Sequence, residues 1–431
     1  MRLENSQSFH GMPVAGIFLL ALTTIMSFLT TQTAFAQTTV YEGARLISGD
    51  GSAPIEDSAF VVQNGRITAV GRRGQVTAPA NAARVSLAGK TVMPAIIDTH
   101  KHLAITRDAL VDQLQRFAYY GIGVATSLGQ DAADVVFAVR AENIPNAARY
   151  RTAGRGITTP EPGRSDVPYW IKSEEEGRQA VREQAAKKVD LIKVWVDDRN
   201  GQYKPLGPEM FAAVIDEAHK SKLRVTAHIY ALNDAKALLR AGIDAFAHSI
   251  RDKVVDDEYI QMIKARPNVV LVPNMADRGV PQDMTWLKDS LPAAEWEKLQ
   301  ADASKENSES AKTYATQASN LAKLNAAGMK IVVGTDGGVP WAAHVEMADM
   351  VKAGMTPAQV IVAATRNGAA LLQIADAGTI ESGKSADFLV LDADPLTDIT
   401  NTRRISSVYL RGAQVDRAAL RAKMTATKPA Q

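Results

Sequence analysis

Two histidines one residue apart, His100 and His102, close the segment TVMPAIIDTHKH. Side chains alternate along a strand with a period of two, so both imidazoles share one side of the backbone. Imidazole is the commonest metal-binding side chain, and a pair held this way can grip one divalent ion. Alone, such a pair is equally a feature of surfaces and cores. Four further polar residues give it weight, because each ends or interrupts an apolar run. Lys193 lies inside DLIKVWV, His228 ends RVTAH, His248 ends AFAH, and Asp336 follows IVVGT. A lysine in an apolar strand is costly unless paired or modified. It could reach solvent past the strand end, or it could carry a carboxyl group on its side-chain nitrogen, becoming an anion that bridges two cations. Trp195, two residues on, shares the face of Lys193 and is a candidate pocket-lining residue. A carboxylate at the mouth of an apolar strand is costly to hold dry without a cation; the other reading of Asp336 is a helix N-cap.

Residues so far apart in sequence need a frame that gathers them. From about 94 to 378, strand-like and helix-like stretches alternate. Candidate strands are 95–99, 123–127, 149–154, 190–196, 224–228, 245–248, 269–272 and 331–335, and helical patterns such as 208–221 and 232–241 lie between them. Eight such units predict an α/β fold, a (β/α)8 TIM barrel, whose functional groups sit at the C-terminal strand ends. The interval of about 276–321 is too long for a plain connection and predicts a helical insertion able to cover the barrel mouth. The flanks, 37–93 and 379–431, read as short strands separated by turns such as Asn64-Gly65 and Arg411-Gly412. Neither flank could build a core alone, so they predict one small β-sandwich domain made from both chain ends.

With 431 residues, 46% apolar, 22% charged and a net charge of +2, the composition is that of an ordinary globular protein and implies no nucleic-acid partner. Residues 1–36 read as a signal peptide, with an apolar stretch over about 14–29 and Ala34-Phe35-Ala36 as the cleavage site, rather than as an uncleaved anchor. The expectation is a periplasmic or secreted bacterial protein with no stable membrane insertion once the segment is removed, and a homo-oligomer. There is no cysteine, so neither disulfides nor thiolate chemistry enter.

The order HKH, Lys193, His228, His248, Asp336 resembles the amidohydrolase superfamily, in its imidazolonepropionase-like and prolidase-like branch with a carboxylated lysine. VMPAIIDTH, GRGITTP, LIKVWV, VTAHIY, GTDGG and AGMTPAQVIVAATRNGAALL carry the resemblance over nearly the whole chain beyond residue 36. Three positions depart from it. Lys101 stands where a small or apolar residue is usual, and alternation turns it away from the ligands. Glu161-Pro162-Gly163-Arg164 replaces a Gly-Gly-His, and Ala247 replaces a Glu before His248.

The resemblance implies two divalent ions, zinc by preference. His100, His102 and Asp336 would hold one, and His228 and His248 the other, with N6-carboxylated Lys193 between them. A water between the ions would become hydroxide near neutral pH and attack a carbonyl, Asp336 passing the proton to the leaving nitrogen. Tyr230, two residues past His228, is placed to stabilise the oxyanion, unless it only packs on the rim. His344 resembles a position that contacts substrate. Arg155, Arg164 and Arg251 are candidate partners for a substrate carboxylate, and Tyr169, Trp170, Trp195 and Trp341 offer aromatic surface. The expected activity is hydrolysis of an amide bond to an amino acid, in a dipeptide, an N-acyl amino acid or an aryl amide of the ochratoxin type. Hydrolysis of an ester, lactone, carbamate or phosphotriester on the same site, and a non-catalytic binding protein retaining the fold, are the alternatives.

Overall fold

The computed structural model describes residues 38–275 and 277–426, all within one compact unit, Ala36–Gln431. The expected signal peptide lies outside the described residues. Among them, no helix is long and apolar enough to cross a membrane.

Ten parallel strands build the α/β frame in two sheets. Ile96–Lys101, Ile122–Ser127 and Arg149–Thr152 form the first. The second runs in the order Tyr169–Trp170, Ile157–Thr158, Ile192–Trp195, Val225–His228, Ala245–Ala247, Val270–Val272, Lys330–Ile331. Hydrogen bonds link the sheets on both sides: Asp190 N donates to Thr152 O (2.9 Å), and Thr99 N donates to Val333 O (2.9 Å). Each of the eight expected strands is represented, in the manner of a TIM-barrel-type α/β fold. Most of these strands are buried throughout, as parallel strands covered by helices must be. Two short strands were not legible: Ile157–Thr158 and Tyr169–Trp170 are inserted before Ile192–Trp195. The last strand is shorter than expected because the chain turns. Val332 bonds Leu271, while Thr335 and Asp336 both donate to His100 O.

The helical patterns hold. Pro208–Lys220 starts with a proline, fits its first turn to that fixed φ, and buries Phe211, Val214, Ile215 and Ala218. The expected insertion at about 276–321 resolves differently. A 3-10 turn, Thr285–Ser290, and the helix Ala293–Ala303 are the added pieces. The next helix, Ser308–Ala326, belongs to the frame itself: Leu321 and Leu324 are buried, and Asn320 bonds Ile250 O, Lys253 O and Val255 N.

Both chain ends meet in the remaining sheet. Its order is Ala413–Gln414, Ile405–Leu410, Phe388–Leu391, Thr91–Pro94, Thr39–Leu46, Ile55–Gln63, Arg66–Arg72, with Ala83–Ser86 paired to Thr39–Leu46. The sequence predicts a sandwich, whereas all eight strands are hydrogen-bonded in one sheet. Thr91–Pro94 bonds an N-terminal strand on one edge and a C-terminal strand on the other, which leaves no seam between separate sheets. Tyr41, Phe60, Phe388 and Tyr409 pack beneath it, with Phe388 stacked on Tyr409 at 4.5 Å.

Candidate metal centre

Four imidazoles form a chain at the C-terminal strand ends. Ring centroids lie 5.3 Å apart for His100 and His102, 5.1 Å for His100 and His248, and 4.6 Å for His228 and His248. Asp336 closes the group, with Oδ1 2.9 Å from His102 Nε2 and 3.3 Å from His100 Nε2, and Oδ2 3.6 Å from His248 Nε2. Donor atoms of His100, His248 and Asp336 lie within 4.8 Å of one another. The backbone is bent to aim them: His248 has φ +90° and Asp336 +50°, a region that residues other than glycine rarely occupy.

The hydrogen bonds around the imidazoles fix which nitrogen is free. Asn274 Nδ2 donates to Gly334 O, so its Oδ1 faces His100 and accepts from Nδ1 at 2.9 Å. His100 Nε2 then carries the lone pair, and it is a buried atom without a hydrogen-bond partner. On His228, Nε2 lies 2.9 Å from Asp197 Oδ2 and 3.1 Å from Arg199 Nη1; in the tautomer that donates to Asp197, the Nδ1 lone pair is free to ligate. Asp197 is itself tied to Arg199 at 2.9 Å.

Charge follows burial. Burial, joined by the Lys193 charge, holds His100 well below the ordinary histidine value. Burial and the neighbouring rings do the same to His248, and burial brings His228 down to about 4 against the pull of Asp197. Burial by itself would raise the Asp336 carboxyl; the His102 hydrogen bond and the surrounding imidazoles outweigh it and hold the group below the usual carboxylate range. Neutral imidazoles around one ionised carboxylate, with an orphaned buried nitrogen among them, are a donor set that fits a divalent cation. Lys193 is 1% exposed. Burial lowers it to about 7, with Asp336 opposing and Arg199 and Arg251 adding to the shift. Its charge acts on His100, His228 and His248 alike.

Gly334 leaves room for this arrangement. A Cβ there would lie 2.4 Å from Val272 Cγ1 and 2.8 Å from His100 Cβ. Gly334→Ala is therefore expected to cost about 1–3 kcal/mol of stability and to displace His100. Urea unfolding measures it, and unchanged stability would contradict the packing described.

Asp336 also lines a cavity of about 400 Å³ with Trp341, Met275, Met284 and Leu299. Met284, Leu299, Asp302 and Ala303 of the added pieces line this cavity. Two acids are buried in its lining. Glu346 accepts from Met275 N at 3.0 Å, and burial raises its carboxyl well above the ordinary value. Burial, opposed by Arg278, raises Asp349 from 3.8 to about 6. The folded protein thus binds more protons than the unfolded chain between these values. The contribution of this group to stability is complete below pH 3.8 and is lost as pH rises to about 6. Asp349→Asn is expected to gain up to about 3 kcal/mol on the native protein across that window. Parallel stability curves for the two proteins would refute it.

The remaining expected site residues divide. Tyr230 is 42% exposed and lies under Arg251, whose guanidinium carbon is 5.2 Å from the ring centroid. Arg251 Nε is buried and unpartnered, and its charge is felt by Lys193 and His228. The Trp195 ring is 5.5 Å from Lys193 Nζ and fills the space over Gly129 and Gly156. Five of these residues are engaged elsewhere. His344 is a core histidine: Nδ1 meets Thr402 Oγ1 at 3.0 Å and Nε2 meets Tyr120 O at 2.9 Å, because its helix, Ala342–Lys352, turns it inward. Arg155 is spent on its own loop, bonding Val167 O and stacking over Tyr169 at 4.0 Å. Tyr169 and Trp170 line a separate groove against the helix Glu174–Ala186, since their short strand sits outside the chain of imidazoles. Arg164 is half exposed and paired with Glu161 at 2.9 Å.

Lys101 behaves as alternation predicts. It is buried away from the imidazoles, 2.9 Å from Asp98 and 2.6 Å from Thr335 Oγ1. Sequence reasoning missed Asn274 and Asp197. Both follow apolar strands, VLVP and IKVWV, so the rule that singled out Asp336 would also have found them.

Residues 91–415 match the amidohydrolase family. Ochratoxinase of Aspergillus niger is 25% identical over 84% of this chain and 83% of that protein. Imidazolonepropionase of Deinococcus radiodurans is 27% identical over 84% of this chain and 92% of its own length. A Bifidobacterium longum structure designated a candidate prolidase superposes with a TM-score of 0.73 at 26% identity, covering 91% of this chain and all of that one.

Proposed function

The chain belongs to the amidohydrolase family and is a hydrolase acting on carbon–nitrogen bonds; on that premise we propose that it cleaves an amide bond to an amino acid, in a dipeptide, an N-acyl amino acid or an aryl amide of the ochratoxin type. The observation that carries the reading is the convergence of His100, His248 and Asp336 around a buried, unpartnered His100 Nε2. The names of the relatives, an ochratoxinase and a candidate prolidase, support the choice of bond.

His100, His102 and Asp336 would hold one divalent ion, zinc by preference, and His228 through Nδ1 with His248 a second. Lys193, once carboxylated, would serve both. At about 7 its amine is about half free of its proton near neutrality, and a free amine adds to carbon dioxide with loss of one proton to give a carbamate. That anion would neutralise the cations from both sides. Bound there, divalent ions supply Lewis-acid polarisation of a carbonyl and a lower pKa for water.

The residues of the chain do the rest. Asp336 is ionised and so can take a proton from the attacking water and return it to the leaving nitrogen. Tyr230, exposed at the rim, offers its hydroxyl to the carbonyl oxygen as negative charge builds. Arg251, held on the same ring with an unused Nε, is the substrate-carboxylate partner that the geometry favours over Arg155 and Arg164. Trp341 and Met284 give the cavity apolar surface for the acyl or aryl side. The test is release of amine from a panel of dipeptides, N-acyl amino acids and aryl amides, run beside esters, lactones, carbamates and phosphotriesters. Turnover confined to the second set would overturn the choice of bond.

A further inference from the structure

A second cavity, of about 480 Å³, opens where the barrel wall meets the terminal β-sheet. It lies at the beginning of the strand Arg149–Thr152, whereas the candidate metal-binding side chains gather at strand C-terminal ends. Alternation sends Tyr150 inward to bond Asp131 at 2.8 Å and turns Arg149 and Arg151 toward the cavity. Arg140, in the last turn of the helix Asp134–Ala141, and Arg66 and Arg411, at turns of the β-sheet, complete five guanidiniums around one space.

Their partners do not balance them. Arg149 takes Asp376 at 2.8 Å and Asp387 at 2.7 Å. Arg66 reaches the same Asp376 only at 3.6 Å. Arg140 and Arg151 share Asp190, at 3.2 and 3.5 Å. The Arg411 guanidinium bonds the carbonyls of Ile144 and Ala147. Glu142, also in the lining, is already taken by Arg107. Guanidiniums therefore outnumber the carboxylates that answer them by two. The Nε of Arg149 is buried with no hydrogen-bond partner, and the buried Nε of Arg151 meets only Asp190 Oδ1, at 3.5 Å. Burial holds Arg151 below the ordinary arginine value; Asp190 opposes this, and the charges of Arg140 and Arg149 add to it. Burial with the Arg149 charge likewise lowers Arg411, against Asp387. A cavity with surplus, mostly half-buried cations and an unused N–H donor lacks an anion.

We propose that this cavity is a second binding site, for a small multiply charged oxyanion bearing a phosphate group or closely spaced carboxylates. Guanidinium forks match the oxygens of either group in pairs. Its lining comes from the barrel and from the β-sheet, so an occupant would tie the two together and raise thermal stability.

Calorimetric titration of the intact, metal-loaded protein with inorganic phosphate and, separately, with succinate, each against sodium chloride of equal ionic strength, tests it. Saturable binding of either probe at millimolar concentration or below, with a raised melting temperature, is expected. The probe that binds more tightly identifies which oxyanion the site is built for. Arg151→Gln should weaken that binding about tenfold and leave hydrolysis in the absence of the anion unchanged. Arg66→Gln, at a more exposed position, should do the same and serves if the first variant folds poorly. Failure of both probes to bind the native protein overturns the proposal. So does binding that survives intact in the variants, since the anion would then sit elsewhere, at the metal residues first of all.

Discussion

Lys193→Ala is expected to lose bound metal and about a thousandfold in amide hydrolysis together. The lysine is buried, its charge reaches three of the imidazoles, and its amine is lowered to about 7. Replacement by alanine deletes the anion that we place between the two cations and leaves a hole in its stead. A short carboxylic acid, acetate or propionate, is small enough to enter such a hole and supply two oxygens. Activity and metal content should therefore recover in part with added acid. Full metal content and normal turnover in the variant, without acid, would end the carbamate reading. Loss of metal without any rescue would leave Lys193 as a packing residue.

Asp336→Asn should lower turnover by about 10³–10⁴ while the chain still folds. The amide has the shape of the carboxylate and can keep a contact with His102, which is 2.9 Å away. What it lacks is negative charge among the imidazoles and a place for a proton. Metal content should fall as well, and urea unfolding of the chelator-treated proteins separates this from collapse. Equal stabilities with lost activity are the expected pair of results. An Asn variant that hydrolyses at the native rate would remove Asp336 from the chemistry.

Much of this site could be read from the chain. Strands buried on both faces read as apolar runs, and a polar residue that ends such a run stands out against them. His228, His248 and Asp336 were visible in this way, and their order along the chain gave the frame. Lys101 was legible too: a strand residue next to a ligand points the other way, and it is found 2.6 Å from Thr335 Oγ1. The same local rule was silent on His344. Its helix can present a histidine outward or inward, and the choice depends on Tyr120 and Thr402, more than fifty residues away on either side.

By itself, then, the sequence determined which residues stand at strand ends and so which could converge, because burial and alternation act within a few residues of each position. Tertiary structure decided what each side chain does on arrival. Asn274 leaves His100 Nε2 free, Asp197 leaves His228 Nδ1 free, and two bonds to His100 O hold the turned backbone that carries Asp336. Such assignments rest on hydrogen-bond partners brought together only by the fold. No local pattern encodes them, since the energy of each bond depends on a neighbour that the strand or helix itself does not specify.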